Sequence, residues 1–449
     1  MFYDVDCGDL IGYNETTRML ADNREFNDWV NGWTTPAPST YQRSDSLAFQ
    51  RWFKFKEAFS PSLVKDVIES LPHRPVRILD CFGGSGTTAV VAAMLGIDST
   101  LVEVNPFLAD LIEAKLGSYD DFDIPAEALA VLATSEQVFV VVDKLRGRLP
   151  PTFLEPGKKE RWIFGEEAAI AIEQLRVAIQ DVQPPALQRL FRVALGSVLI
   201  DASNVRIDGK ARRYKTNWKS RRIEATAIRQ LFVAVVARMV EDIARFPSKN
   251  GDNQILRGDS REVLKSLPAK TIDLAIFSPP YPNSFDYTDI YNVELWMLGY
   301  FDVAADNTRL RLQTLRSHVQ VKWESPVSLL GSKTLDATLE LLRAKASQLW
   351  DKRLPEMVFA YFCDLDEIVR GIVRTLNPDG HIAIIVGNSA YAGITVDSSE
   401  ILKEIAHHHG LIVKKCESVR VMRTSSQQTA GTKELDEWLI LLSFGAHCR

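Results

Sequence analysis

Apolar and polar residues recur with different periods along this 449-residue chain, and the changes of period divide it. "PVRILDCFGG" is a short apolar run that reads as a buried strand ending at Asp80, and "TTAVVAAMLG" reads as a helix closed by Gly96. "DSTLVEVNP" gives a second strand and "FLADLIEAKLG" a second helix. Strand, glycine loop, helix, strand is the opening of an α/β fold with a doubly wound, mostly parallel sheet. From about 117 to 250 the alternation stops. "EEAAIAIEQLRVAIQ", "ALQRLFRVALGSVL" and "IEATAIRQLFVAVVARMVEDIARF" all carry the helical period, which predicts a large, mostly helical insertion. The α/β rhythm resumes at "NQILRGDSREVLKSLP" and runs through "IDLAIFSPPY" and "DEIVRGIVRTLNPDGHIAIIVGNS" to a closing strand "EWLILLSF". A second helical or irregular segment interrupts it at about 301 to 355.

The expected organisation is therefore an N-terminal segment 1–45 without an assigned role, a catalytic domain made of 46–116 and 251–449, and the helical insertion 117–250. No apolar run reaches the roughly 18 to 20 residues that span a bilayer, and the N-terminus lacks a signal-peptide pattern, so the expected location is the cytoplasm. The five cysteines are scattered with no Cys-x-x-Cys pair, which predicts reduced thiols. The formal net charge of −5 excludes generalised attraction to nucleic acid and leaves only a local basic surface for such a partner.

Four stretches carry candidate chemistry. Gly83, Gly84 and Gly86 follow the first strand, where a sheet of this kind binds a nucleotide and where the missing Cβ lets backbone approach a ligand. Neither the lysine of a phosphate-binding loop nor the third glycine of a dinucleotide fingerprint is present. Glu103 ends the second strand, where a carboxylate can accept from ribose hydroxyls, and Asp259 in "GDS" ends the next, where it can accept from an adenine amino group. Upstream, Ser60 reads as an N-cap with Pro61 at the first helical position, and Lys56 lies one turn away, a setting that favours a ligand carboxylate. A carboxylate, a ribose and an adenine without phosphate is the inventory of S-adenosyl-L-methionine.

In this order "KEAFSP", "LDCFGGSGTT", "LVEVNP", "RGDS" and "SPPY" resemble the motifs of amino-methylating DNA methyltransferases, which act on the exocyclic nitrogen of cytosine or adenine. The resemblance covers roughly residues 50 to 116 and 254 to 445. It implies a class I, Rossmann-like methyltransferase fold with S-adenosyl-L-methionine as cofactor. Contacts to that cofactor are implied for Lys56, Phe59, Ser60, Asp80, Phe82, Gly83, Gly84, Gly86, Thr87, Glu103, Asp259 and Ser260.

It also implies that Ser278, Pro279, Pro280 and Tyr281 are the catalytic tetrapeptide. An aromatic amine is a weak nucleophile because its lone pair is delocalised. Acceptors in a fixed geometry redirect that lone pair, with the Ser278 hydroxyl and the Pro279 carbonyl as candidates, on a backbone stiffened by the prolines. Tyr281 is expected to stack on a base flipped out of the duplex. No cysteine follows a proline, which excludes the usual thiolate route to cytosine carbon 5. In the family, serine in the first position goes mostly with cytosine N4, so the expectation is N4-cytosine methylation. Adenine N6 is the alternative, followed by an RNA base or a DNA-binding module that has lost activity. Asp286, just beyond, is either a base-orienting or proton-accepting group or an ordinary surface aspartate.

Double-stranded DNA is the expected partner, held by "GKARRYKTNWKSRR" in the insertion. Its Lys210, Arg212, Arg213, Lys215, Lys219, Arg221 and Arg222 are unrelieved by any acid, with Tyr214 and Trp218 interleaved as stacking faces. "RLRLQTLRSHVQVK" is a second basic candidate. A separate restriction endonuclease or defence-system partner would suit such an enzyme. The run His407–His409 closes a helix at Gly410, where cations complement the dipole, so no metal is expected there.

Overall fold

The computed structural model describes residues 27, 29, 30, 47–55, 58–208, 211–246, 250–324, 326, 331–423 and 434–445. Seven strands build the main sheet, beginning with β1 (Arg77–Asp80) and β2 (Asp98–Glu103). A basic hairpin follows as β3 (Val205–Asp208) and β4 (Ala211–Tyr214), and the sheet resumes with β5 (Asn253–Arg257), β6 (Ile272–Phe277) and β7 (Leu376–Gly387). A small hairpin, β8 (Ser389–Tyr391) and β9 (Ile394–Val396), precedes the closing pair β10 (Leu411–Arg423) and β11 (Glu434–Phe444). The order across the main sheet is β10-β11-β7-β6-β1-β2-β5. β5, β2, β1, β6 and β7 run parallel, and β11 is antiparallel to both β7 and β10. This is the doubly wound, mostly parallel α/β sheet expected from the period changes.

Both faces of the sheet are buried, and the strands show it by strict alternation. Ile78, Leu274, Ile276, Ala383 and Ile385 join one core, while Leu79, Ala275, Phe277, Ile382 and Ile384 join the other. Helix α1 (Pro61–Glu69) starts where the sequence placed it: Ser60 caps Leu63 N at 3.2 Å and Pro61 occupies the first turn. Helix α2 (Thr87–Leu95) leaves the glycine loop, and α3 (Pro106–Leu116) follows β2 behind an Asn105 cap.

Residues 117–250 hold α4 (Ile124–Gln137), α5 (Val142–Arg148), α6 (Glu166–Gln180), α7 (Pro185–Val198) and α8 (Ala225–Arg245). Their apolar faces belong to the same hydrophobic core as β1 and α3. Gly196 of α7 is needed because a Cβ there would stand 2.5 Å from the Phe107 ring of α3. Arg192 of α7 and Arg257 of β5 both pair with the buried Asp110 of α3, at 3.0 and 2.6 Å. The basic segment of the insertion forms the β3–β4 hairpin followed by a short 3-10 turn, Trp218–Ser220. The other face carries α9 (Ser260–Ser266), α10 (Leu354–Thr375) and α11 (Ser398–His408). Among the described residues no single helix is long and apolar enough to cross a membrane.

The N-terminal approach is clamped by one carboxylate. Asp242 of α8, 1% exposed, accepts from Phe49 N at 3.0 Å and Trp52 Nε1 at 2.9 Å and is forked by the Arg51 guanidinium. That pairing holds the Arg51 guanidinium above its usual range. Removing one partner of a buried charged pair strands the other and costs about 3 kcal/mol. Asp242→Ala is therefore expected to lower unfolding free energy by about that amount, read from the midpoint shift in a urea titration with unchanged slope.

Candidate active site

The winding of the sheet reverses between β1 and β6, and in such sheets the crevice outside the carboxyl ends of the strands at that switch is where ligands bind. Parallel pairing of Ile78 with Leu274 and Leu79 with Ala275 brings the two strands out side by side. The glycine loop leaves one and the Ser-Pro-Pro-Tyr segment leaves the other. Both line a single cavity of about 310 Å³.

On the β1 side, the buried Asp80 accepts from Phe82 N at 2.9 Å and Thr88 Oγ1 at 2.6 Å, which fixes the turn from inside. Burial still pushes its carboxyl up to about 6, against those two bonds. Gly84 takes the left-handed region at φ 52°, and a Cβ there would press on the Phe55 ring at 3.0 Å. Its N–H donates to Glu103 Oε2 at 2.7 Å, and Asn105 N donates to Glu103 Oε1 at 2.8 Å. Glu103 is 7% exposed, and burial pushes its carboxyl up to about 7. The fully buried Lys115 donates to Ser85 O at 2.6 Å and supports the loop from below, and burial lowers its ammonium to about 7.

Phe59, Asp80, Phe82, Gly83, Gly84, Thr87, Glu103, Asp259 and Ser260 all stand on the cavity wall. Ser60 and Gly86 stand behind it: Ser60 is spent on the helix cap, and Gly86 shapes the turn at φ 82°. Lys56 lies outside the described residues. Asp259 faces the cavity while its carboxylate caps Arg261 N and is forked by the Arg261 guanidinium. The hydroxyls of Ser85 and Thr87 are buried on the wall without a partner. Such orphans cost about 1 to 3 kcal/mol each unless a ligand meets them. Two orphan hydroxyls at a helix N-terminus suit a ligand carboxylate, and two buried carboxyls suit hydroxyl groups and positive charge. The donor set fits S-adenosylmethionine.

On the β6 side, Ser278 is half-buried and its Oγ lies 3.4 Å from the Tyr281 hydroxyl. Tyr281 donates in turn to Glu437 Oε1 of β11, and Arg420 of β10 donates to the same oxygen at 3.0 Å. The Tyr281 ring lies against the backbone of β7, since a Cβ on Gly387 would meet ring carbons at 2.6 and 2.8 Å. Arg420 and Glu437 also line the cavity, and the sequence reading missed them. The signal for Glu437 was a charge at an inward position of the apolar strand "ELDEWLILLSF". Further along, Phe285, Tyr287, Tyr291 and the buried His318 complete the wall. Asp286 is not a surface aspartate. It is 4% exposed, caps Thr288 N at 2.9 Å and pairs with Arg311.

The basic segment of the insertion spends much of its charge on itself. Lys215 donates to the carbonyls of Ile200 and Ser203, both at 2.8 Å, and Arg221 to that of Asp201 at 3.0 Å. Lys219 pairs with Glu160 and Arg222 with Glu155. Tyr214 and Trp218 stack on each other at 4.2 Å, with Trp162 edge-on to Trp218. Arg213 is exposed, and Lys210 lies outside the described residues. Arg212 reaches across to Asn292, the residue after Tyr291 of the cavity wall, and so anchors the hairpin near that wall. In the second basic stretch, Arg311 and Arg316 are paired with aspartates. At the histidine run, His409 pairs with Asp366 at 2.8 Å.

A family model described as "DNA methylase" matches residues 13–114. Over 435 residues the chain is 25% identical to the type II methyltransferase M.AvaI of a Nostoc strain, covering 88% of this chain and 85% of that protein. It is 23% identical to M.BsoBI of Geobacillus stearothermophilus, over 87% of this chain and 84% of the relative. Among solved structures it resembles TrmN from Thermus thermophilus, at 11% identity and TM-score 0.28, over 86% of this chain and 49% of that one. It also resembles the [4+2]-cyclase SpnF, at 9% identity and TM-score 0.30, over 97% and 96%. Beside the ordered motifs and the switch-point cavity, those matches make the chain similar in sequence to DNA methylases and to type II methyltransferases.

Proposed function

We propose that the protein is a site-specific methyltransferase for the N4 amine of cytosine in double-stranded DNA, acting on a flipped-out base. The observation that carries this reading is the shared cavity: the glycine loop and Ser278–Tyr281 leave adjacent parallel strands and face one space. In it Asp80, Ser85, Thr87, Glu103 and Asp259 would hold S-adenosylmethionine, which supplies a methyl group on a positively charged sulfur. Ser278 and the Pro279 carbonyl take the hydrogens of the target amine and turn its lone pair toward the methyl carbon. The two prolines keep those acceptors from relaxing, so little reorganisation is needed when charge develops. Transfer is direct, by proximity and electrostatics.

Flipping costs a few kcal/mol. Stacking on aromatic side chains returns about 1 to 3 kcal/mol per base. Tyr281, backed by Gly387, and the aromatic wall of Phe285, Tyr287 and Tyr291 are suited to that. The β3–β4 hairpin, anchored through Arg212 to Asn292 beside the cavity wall, is the proposed DNA contact, with Arg213, Lys219 and Arg222 as its exposed cations. Because the relatives M.AvaI and M.BsoBI are named type II methyltransferases, a separate restriction endonuclease is the proposed biological partner.

Single-base mapping of modified bases in DNA from a methylation-free host expressing the protein is expected to find N4-methylcytosine at one short site. N6-methyladenine there would overturn the choice of base. Ser278→Ala is expected to lower single-turnover methylation about 10²-fold, with cofactor affinity, read by calorimetry, unchanged. Glu103 gives a pH signature. Its carboxyl sits at about 7, so a binding step that uses the ionised form is favoured above that pH and must expel a proton below it. Cofactor affinity is expected to fall about tenfold from pH 8 to pH 6, and Glu103→Gln to bind weakly with that slope removed.

A further inference from the structure

The catalytic serine does not stand alone. Ser278 Oγ and the Tyr281 hydroxyl are 3.4 Å apart, and each carries a proton that it could donate to the other. The next link decides it. Tyr281 donates its proton to Glu437 Oε1, an oxygen that also receives Arg420 Nη2 at 3.0 Å. A phenol has one hydrogen to give, so Ser278 is the donor to Tyr281 and its own lone pairs are left for the substrate. Every member is on the cavity wall, and Glu437 is 2% exposed. Glu437 Oε2 is buried with no partner, an acceptor held in reserve.

We propose that Glu437, acting through Tyr281, is a positioning residue that aims the Ser278 lone pair at the target amine and takes up the proton released by methyl transfer. The proposal rests on the reading of Ser278 as amine acceptor given above. The step balances. The amine lone pair forms the nitrogen–carbon bond, the electron pair of the broken carbon–sulfur bond stays on sulfur, and the nitrogen is left with one proton too many. That proton passes to Ser278 Oγ as the serine proton moves to the Tyr281 oxygen and the tyrosine proton to Glu437. Ser278 and Tyr281 end neutral as they began, and the glutamate ends as a neutral acid. The positive charge on sulfur and the negative charge on Glu437 are lost together, and Arg420 keeps its charge throughout.

The relay also accounts for the placement of Tyr281. A held ring serves both as a stacking face and as a relay. Here the ring is backed by the bare Cα of Gly387 and by Met422, while its hydroxyl is tied to β11. Burial, with the carboxylate beside it, holds the Tyr281 phenol well above its usual range, so it remains a proton carrier and not a phenolate. The groups facing Glu437 are Tyr281 from the catalytic loop and Arg420 from β10.

The test compares Glu437→Gln, Tyr281→Phe, the double variant and Ser278→Ala in the full-length protein. Glu437→Gln is expected to lower single-turnover methylation about 10²-fold, with dissociation constants for S-adenosylmethionine and for cognate duplex within about twofold of wild type. Tyr281→Phe cuts the same chain one atom earlier without removing the ring, and is expected to lose a similar factor. The double variant is expected to be no slower than the slower single, because both break one relay. An independent readout needs neither cofactor nor DNA. With 3-fluorotyrosine at position 281, fluorine resonance followed against pH is expected to show ionisation at lower pH in Glu437→Gln than in the parent. Near-parental rates in both single variants, losses that multiply in the double, or an unmoved fluorine titration would overturn the relay. If Ser278→Ala is inactive while Glu437→Gln is not, the relay alone falls; if Ser278→Ala keeps full activity, the reading of the active site falls with it.

Discussion

The parallel pairing of β1 with β6 is the constraint on which the rest of the molecule depends. It buries Ile78 and Leu79 against Leu274 and Ala275 on opposite faces and makes the two strands leave the sheet together at their carboxyl ends. Everything chemical then follows from what each strand runs into. One meets glycines that can turn sharply over α2, and the other meets two prolines that fix φ near about −65° and stiffen the segment. A flexible cradle and a rigid bracket thus face each other across a single cavity. The helices of 117–250 enter between β2 and β5, away from this junction, and enlarge the core on one face without disturbing the pairing.

The local parts of the site were legible in the sequence because their physics is local. Three glycines after a strand, a Ser-Pro cap and Ser-Pro-Pro-Tyr each declare their backbone geometry within a few residues, and the structure has the turn, the cap and the loop at those positions. What was not legible depends on pairing at long range. Glu437 lies 156 positions from Tyr281. Only the antiparallel β11, laid beside β7, brings it under the tyrosine. Its one sequence signal was an acid in an apolar strand, which pattern alone cannot distinguish from a strand end. The basic run shows the opposite failure. Its composition suggested a surface of unspent cations, but Lys215 and Arg221 fold back on carbonyls and Arg212 is pinned to Asn292, because a short hairpin needs such ties to hold its shape.

Burial sets the electrostatics of the cavity. Asp80 and Glu103 are withdrawn from water and resist ionisation, whereas a ligand with positive charge would favour their charged forms. The same logic governs the far wall, where the Glu437 carboxylate is compensated by Arg420 and by the Tyr281 hydroxyl. Acidic groups thus stand on both sides of one cavity, Asp80 and Glu103 on the β1 side and Glu437 on the β11 side.

The unpartnered polar atoms indicate which parts of the wall await a ligand. A protein gains nothing in stability from burying the hydroxyls of Ser85 and Thr87 or the second oxygen of Glu437 with nothing to meet them. Asn283 Oδ1, His318 Nδ1 and Arg420 Nε are also unpartnered on residues of the same cavity wall. The Ser85 and Thr87 hydroxyls cluster where the glycine loop opens into α2, and the second Glu437 oxygen sits behind Tyr281. A polar ligand group that met these atoms would recover part of the stability forgone there. A sheet that would otherwise be a well-sealed two-faced core is left incomplete at the point where its winding reverses, and binding is what completes it.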